Sequence, residues 1–381
     1  MRKETRILLT GGGTGGHIYP LITVARQLAD YRLRYFGDPG QYKSELQEAG
    51  IEIASVSSSK FRRYFSLLNF LDIFKFAFGF IQSLCKIYWF MPDAAFSKGG
   101  PGALPVILAC RFYFIPIVIH ESDAVPGLTN KIAARYAKKV KLAFESARAY
   151  FNTRAEIETV GQPVREEFLK EETKTEAVKY FGLDAAKPVL LFLGGSQGSN
   201  RLNDFILSNL ESLLNKFQII HQVGEIKYQE YKNEYEFISK DWSPTLKKNY
   251  FFAPYLKENL PKAYDAADLA ISRSGAGAIF EAAAKRKPAV LIPFPEAANN
   301  HQQLNAFEYQ KTGAAAVIEQ ENLLPDLFIS VVENLLKNAD KLNQMKIAAQ
   351  KFYKPDAAQR IAQNILSLIP RFMVSLAEPP K

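Results

Sequence analysis

The chain has 381 residues, enough for two domains of ordinary size, and 48% hydrophobic against 23% charged residues is the balance of a globular, core-forming protein. Lys and Arg (48) outweigh Asp and Glu (39) for a net charge of +9, which favours an anionic partner: nucleic acid, acidic lipid or a phosphorylated substrate. Cys85 and Cys110 are the only cysteines, which argues against a disulfide framework or a zinc cluster; no uncharged apolar run reaches the ~18 residues that span a bilayer, and the charged start has too short an apolar run for a signal peptide, so the expectation is a cytoplasmic protein, soluble or attached to a membrane surface.

In chain order, the apolar run at 6–10, RILLT, leads into GGGTGGH and then a helical pattern in which Ile18, Leu21, Ile22, Ala25 and Leu28 share one face. RLRYF, DAAFS, IPIVIH and VKLAF follow as strand candidates. VGQPVREEF, with Gly161 and Pro163, and the charged KEETKTEAVKYFG after it mark a linker. The pattern then restarts with PVLLFLGGSQGS and a helix, and FQIIHQVG, NYFFAP, ADLAIS and PAVLIPF continue it. Alternating strands and helices predict an α/β fold with parallel sheets covered on both faces. Two Gly-rich openings, at 11–16 and 194–198, predict two Rossmann-like domains facing across a cleft, with bounds at 1–162 and 163–352.

Gly11, Gly13 and Gly16 satisfy the dinucleotide pattern G-x-G-x-x-G, with Asp38 after the next strand. Against a dehydrogenase stand the extra glycines at 12 and 15, the histidine at the helix entrance, and a second loop, LGGSQGS, with its own claim on a diphosphate. A third loop, SRSGAGAIFEAAAK, places Ser274, Gly275, Ala276 and Gly277 at another helix start, where unpaired N–H groups and the helix dipole attract anions. Glu281, a turn further on, is placed to accept from two ribose hydroxyls, or to complement the helix dipole from the surface. The amide-rich PFPEAANNHQQLNA suits sugar hydroxyls.

Taken together, GGGTGGHIYP, HESDAVPGLTNKIA, GQPVR, GGSQGS, SRSGAGAIFEAAAKRKPAVLIPFP and HQQLNA resemble the MurG family of glycosyltransferases, in order from about residue 5 to 315. The resemblance implies the GT-B fold and inverting transfer of N-acetylglucosamine from UDP-GlcNAc to an undecaprenyl-linked muramyl-pentapeptide in peptidoglycan synthesis. It also implies that a C-terminal helix, about 353–370, crosses back to the first domain. By the same resemblance, donor contacts fall to Thr14, Gly15, Gly16, Asp123, Arg165, Ser196, Ala276, Gly277, Ala278, Ile279, Phe280, Glu281 and Gln302, with Leu256 beside the uracil. Asp123 stands where some members carry asparagine, and so can accept from a sugar hydroxyl but not donate as an amide does. Gly13, Gly99, Gly100 and Gly102 are expected to cradle the acceptor's diphosphate.

No D-x-D metal motif occurs in the chain, and no cofactor is implied. The leaving diphosphate is therefore assigned to helix N-termini and Arg165. His17 is the first candidate for the base, since an imidazole of pKa ~6.5 takes a proton near pH 7; Glu121 is the second, and His120 and His221 read as structural. The segment at 60–90 holds eleven aromatic, five basic and one acidic residue. That composition suits an interfacial anchor on anionic lipid, with Phe61, Phe65, Phe74, Phe78 and Trp89 as contacts, and places the protein on the cytoplasmic face of the plasma membrane. Nucleic acid has only net charge in its favour. Another lipid glycosyltransferase of the same fold, acting on diacylglycerol, and a non-catalytic nucleotide-sugar-binding regulator are the competing functions.

Overall fold

The computed structural model describes residues 4–58, 68–195 and 198–370. Two compact units form, one from residues 1–165 and 354–381, the other from 166–353. Strands of the first unit are β1 (Arg6–Thr10), β2 (Arg32–Gly37), β3 (Glu52–Ser55), β4 (Ala94–Ser97), β5 (Ile117–Glu121), β6 (Lys139–Leu142) and β7 (Glu156–Thr159). They make one parallel sheet in the order β3-β2-β1-β4-β5-β6-β7. The second unit holds β8 (Val189–Leu193), β9 (Gln218–Gln222), β10 (Tyr250–Ala253), β11 (Leu269–Ser272), β12 (Ala289–Leu291) and β13 (Ala315–Val317), also parallel, ordered β10-β9-β8-β11-β12-β13.

The central strands are apolar without alternation because helices cover both of their faces. In β4, β5 and β8 every residue is buried. Ile7 and Leu9 of β1 pack against Ile18, Leu21 and Ile22 of the Gly15–Arg26 helix on one side, while Leu8 joins Val106, Ile107 and Ile119 on the other. The C-terminal helix Ala357–Leu366 belongs to this first core: Ala358, Ile361, Ala362 and Ile365 pack with the Gly15–Arg26 helix. Burying each isoleucine there contributes about 1.5–3 kcal/mol. Polar ties reinforce the seat, with Lys139 Nζ donating to Asn364 at 2.8 Å, Lys354 Nζ to the Thr159 carbonyl at 2.8 Å, and Arg360 pairing with Glu158.

In each sheet the connection from the first strand runs outward one way and the fourth strand is laid on its other side, so the strand order reverses between β1 and β4 and again between β8 and β11. Loops at the carboxyl ends of such adjacent strands splay apart, and ligands of open α/β sheets bind there. All of the Gly-rich segments singled out in the sequence fall at these two carboxyl edges.

Candidate active site

At the first edge, the turn after β1 carries Gly11 to Thr14 and enters the Gly15–Arg26 helix. Thr14 occupies the N-cap position without capping the backbone; its hydroxyl instead pairs with His17 Nδ1 at 2.7 Å. That fixes the imidazole and leaves Nε2 without a hydrogen-bond partner among the described residues. The turn after β4 comes close from the other side: Gly100 has φ of +88°, and a Cβ there would stand 2.8 Å from the Gly12 backbone and 3.4 Å from His17 Nε2. Gly99, at φ +78°, lies against Asn130. Gly13 is packed on the Asp38 carbonyl, Gly15 on the Tyr42 hydroxyl and Gly102 on Ser58. Packing thus accounts for the missing side chains at Gly13, Gly99, Gly100 and Gly102; what Gly13, Gly100 and Gly102 offer an anion is backbone N–H rather than space, while the Gly99 N–H is already given to Ser97 Oγ at 3.0 Å. Gly16 differs, since nothing lies within 4 Å of a Cβ built on it.

Behind this turn is a buried polar cluster. Lys98, the residue after β4, is 2% exposed, and its Nζ donates to His120 Nδ1 (2.5 Å), Ser122 Oγ (2.6 Å) and Gln162 Oε1 (3.2 Å). His120 Nε2 donates to the Gly161 carbonyl at 2.8 Å, so Nδ1 carries the lone pair that Lys98 needs. Glu121, 4% exposed, accepts from the N–H groups of Asp123 (2.9 Å) and Gly127 (3.3 Å) and from Asn130 Nδ2 (2.9 Å). Both of its oxygens are thereby engaged in shaping the 122–127 turn. Arg165, at the end of this unit, lays its guanidinium 4.6 Å over the Tyr19 ring.

Burial governs the charges. The His17 imidazole is pushed down to about 4, by burial first and the Lys98 cation second, with Asp123 opposing. His120 falls well below the ordinary histidine range for the same two reasons. Glu121 is raised to about 7 by burial and by Asp123, against the N–H donors that favour its carboxylate. Lys98 is lowered to about 7 by burial, with Glu121 and Asp123 holding its proton on. His17 is therefore a neutral imidazole at pH 7 by a wide margin, rather than one poised near its midpoint.

At the second edge, the residue after β11 is Arg273, 7% exposed. Its guanidinium donates to Ser199 Oγ (2.7 and 3.1 Å), to the Ile292 and Pro293 carbonyls (3.1 and 3.3 Å) and to Gln320 Oε1 (2.6 Å), tying the loops after β8, β12 and β13 together. Ser274 Oγ donates to the Gln302 carbonyl at 2.8 Å, Gln302 Oε1 accepts from the Phe294 N–H at 3.1 Å, and Asn305 Nδ2 donates to the Ser274 carbonyl at 3.1 Å. These bonds aim the Ala276–Ala284 helix, whose N-cap is Gly275 with no side-chain cap. An α-helix leaves its first N–H groups unpaired, so those of Ala276, Gly277 and Ala278 are available to an anion.

The expected donor segment is narrower than the sequence suggests. Ile279 and Phe280 are at most 1% exposed, the Ile279 N–H is bonded to the Gly275 carbonyl, and the Phe280 ring packs tilted with its centroid 4.8 Å from that of Phe352. Their side chains anchor the helix in the core. Glu281 is half-buried in the second turn. Leu256 is 3% exposed and its N–H is held by Gln222 Oε1 at 3.1 Å, so its side chain presents no open apolar surface. Ser196 lies outside the described residues. Lys98, Asn130, Gln162 and Arg273 were not singled out in the sequence, although each organises one of the edges. His221 is a core residue between Tyr250 and Asn203.

The aromatic segment forms a 23-residue helix, Leu68–Phe90, and no helix among the described residues is long and apolar enough to cross a membrane. Phe90 and Ile87 are core, but Ile73, Phe74, Phe78, Ile81, Tyr88 and Trp89 are 56–80% exposed, spaced as one helical stripe. Phe112 and Phe114, at the end of the next helix, are also exposed at 62% and 82%. Phe61 and Phe65 lie outside the described residues.

Residues 7–142 match the glycosyltransferase family 28 N-terminal domain, and residues 189–361 its C-terminal domain. The UDP-N-acetylglucosamine–N-acetylmuramyl-(pentapeptide) pyrophosphoryl-undecaprenol N-acetylglucosamine transferase of Desulforamulus reducens is 33% identical over 375 residues, 96% of this chain and 99% of the relative. The protein of the same name from Clostridium tetani is 37% identical over 91% of this chain and 95% of its own length. The crystal structure of Acinetobacter baumannii MurG superposes with a TM-score of 0.73 at 27% identity, over 95% of this chain and 99% of that one. With both domain models matched in order and identity above 30% across nearly the whole length, this chain belongs to the MurG family of glycosyltransferases.

Proposed function

We infer that the protein transfers N-acetylglucosamine from UDP-GlcNAc to undecaprenyl-diphospho-N-acetylmuramyl-pentapeptide, completing the lipid-linked disaccharide of peptidoglycan synthesis. The observation that carries this reading is identity of 33–37% across more than nine-tenths of the chain to transferases named for that reaction. The donor's diphosphate is assigned to the N–H groups of Ala276, Gly277 and Ala278 and the loop after β8, with Arg165 adding charge; Glu281 and Gln302 take ribose and sugar hydroxyls. Thr14, Gly15, Gly16 and Asp123 meet the donor's sugar end, and the turns holding Gly13, Gly99, Gly100 and Gly102 receive the acceptor diphosphate through the N–H groups of Gly13, Gly100 and Gly102.

His17 acts as the base. With Nδ1–H donating to Thr14, the Nε2 lone pair takes the proton of the acceptor hydroxyl as its oxygen bonds to the anomeric carbon. The bond from that carbon to the UDP oxygen breaks, and the configuration inverts. Helix N-termini stabilise the departing UDP without a metal ion. Glu121 serves by holding the 122–127 turn, its buried carboxylate being committed to three donors. The exposed stripe of the Leu68–Phe90 helix, with Lys75 and Lys86 on the same helix, rests on the anionic cytoplasmic face of the plasma membrane, where a lipid-linked acceptor resides.

Incorporation of labelled GlcNAc from UDP-GlcNAc into the lipid-linked acceptor tests the reading, with diacylglycerol as the competing acceptor. Label in the muramyl lipid alone is expected. Label in diacylglycerol alone, or UDP binding without transfer, would overturn it.

A further inference from the structure

Lys98 and Arg273 hold the same place in the two halves of the chain. Each is the first residue after the fourth strand of its sheet, and each donates its backbone N–H to the last carbonyl of the first strand: Lys98 to Thr10 at 2.9 Å, Arg273 to Leu193 at 3.2 Å. Both side chains are buried, and both bind the loops of neighbouring strands to one another. Burying a cation is costly unless it is fully hydrogen-bonded and its charge is balanced by an opposite one. Lys98 meets the first condition, since three N–H groups meet three acceptors on His120, Ser122 and Gln162. The carboxyls of Glu121 and Asp123 supply the opposite charge. A Cβ on Gly11 would stand 3.4 Å from Lys98 Cβ and 3.6 Å from His17 Cβ, so Lys98 and His17 flank the same glycine.

We propose that Lys98 is a positioning residue of the acceptor side: it bolts the turns after β4 and β5 to Gln162 and, in its protonated form, sets a positive charge beneath the Gly11–His17 turn, where a diphosphate-bearing acceptor is received. The acceptor part rests on the function inferred above; the charge on His17 does not. Because all three N–H groups are committed, Lys98 acts through its field and through the loops, without touching the substrate. The other charged or titratable groups around it are His17 and His120, both neutral, and the carboxyls of Glu121 and Asp123, which sustain its proton. In the second half a guanidinium performs the loop-tying with a charge that never titrates.

The test compares Lys98→Met and Lys98→Arg with the unaltered full chain through acceptor KM, UDP affinity by calorimetry, and the His17 titration by imidazole NMR. Removing the charge is expected to raise acceptor KM by roughly tenfold or more while UDP affinity stays within about twofold, because a phosphate group loses an electrostatic partner on one side only. The His17 midpoint should rise toward the ordinary imidazole value of ~6.5. Arginine, which keeps the charge, should restore most of both. Unchanged acceptor KM, a parallel loss of UDP affinity, or an arginine variant no better than methionine would overturn the proposal. Should the methionine variant not fold, Lys98→Gln, which retains a donor for Ser122 and drops the charge, gives the same readings. Failure of the unaltered protein to glycosylate the lipid-linked acceptor would instead reject the inferred function, and the His17 titration would still decide the role of Lys98.

Discussion

The two carboxyl edges are built on one topology from opposite kinds of chemistry. Around the turn after β1 stand His17, Lys98, His120 and Glu121, each with its proton affinity displaced by burial. Around the turn after β11 the corresponding positions hold a guanidinium, serine hydroxyls and the amides of Gln302, Asn305 and Gln320, none of which changes charge near neutrality. A nucleoside diphosphate has a fixed charge near pH 7 when esterified to a sugar, and a non-titrating frame suits it. An acceptor hydroxyl has to lose a proton, and the first edge is where a proton can go.

The largest effect that would break this division is at His17. His17→Ala is expected to lower kcat by about 10²–10⁴, the usual worth of a positioned base, with UDP affinity unchanged. Near-normal turnover would remove His17 from the chemistry. The pH profile sharpens the same point. A base must be unprotonated to act, and the folded-state value of about 4 means that His17 is increasingly neutral as pH rises past that point and predominantly so near neutrality. The acidic limb of kcat/KM assigned to His17 should therefore fall near pH 4 to 5, below the ~6.5 of an unperturbed imidazole. A limb at ~6.5 in the unaltered protein, unmoved by Lys98→Met, would contradict the environment described for this ring.

Next in size is Arg273→Met. It takes the guanidinium donors from Ser199, Gln320 and the Ile292 and Pro293 carbonyls at once, leaving Ser199 Oγ only the Leu202 N–H, and each buried polar group left unpaired costs about 1–3 kcal/mol. Donor affinity should fall by roughly tenfold to a hundredfold as the three loops loosen. The loss should be the same at pH 6 and pH 8, because no titrating group is involved. If acceptor KM changed and donor affinity did not, the assignment of donor to the second edge would be wrong.

Much of this frame is legible in the sequence alone, because a Gly-rich loop at the end of a continuous apolar run announces the carboxyl edge of a parallel sheet. The central strands were readable for the same reason. β3 and β7 were not, being four-residue segments, EIAS and EIET, at the two rims of the sheet, where a half-polar sequence looks like a loop. Lys98 and Arg273 escaped because a lone cation after a strand reads as a solvated end; only topology brings residue 98 to residues 120 and 162. The glycines misled in part. Read alone, Gly13 and Gly100 make room for phosphate, yet the chain itself fills that room. Ile279 and Phe280 are buried, a reminder that a motif that binds as a unit also contains side chains that seat the helix.

A smaller effect concerns the exposed stripe of the Leu68–Phe90 helix. Phe74→Ser with Phe78→Ser removes two aromatic side chains that are more than half exposed. Each contributes at most about 1.5–3 kcal/mol if fully withdrawn from water, so affinity for anionic vesicles should drop by about tenfold or more. Turnover of a short-chain, water-soluble acceptor should stay within about twofold, as neither residue belongs to an edge loop. Vesicle binding that is unchanged, or equal on neutral and anionic lipid, would detach this helix from the proposed surface.

The smallest expected change in stability separates glycines kept for the fold from glycines kept for a ligand, on both edges together. Gly100→Ala forces a side chain into a φ of +88° and onto the Gly12 backbone at 2.8 Å, and should cost about 1–3 kcal/mol in unfolding free energy. Gly16 and Gly277 have ordinary helical backbone and nothing within 4 Å of an added Cβ. Alanine there should be neutral or stabilise by about 0.4–1 kcal/mol, because it restricts the unfolded chain at no steric cost. If these two helix starts receive the donor, the same methyl stands where phosphate or sugar approaches the backbone. UDP-GlcNAc affinity should then fall severalfold in Gly277→Ala while the melting temperature holds or rises. A variant that is both more stable and equally tight would show that the glycine serves neither purpose, and would take the diphosphate away from that helix start.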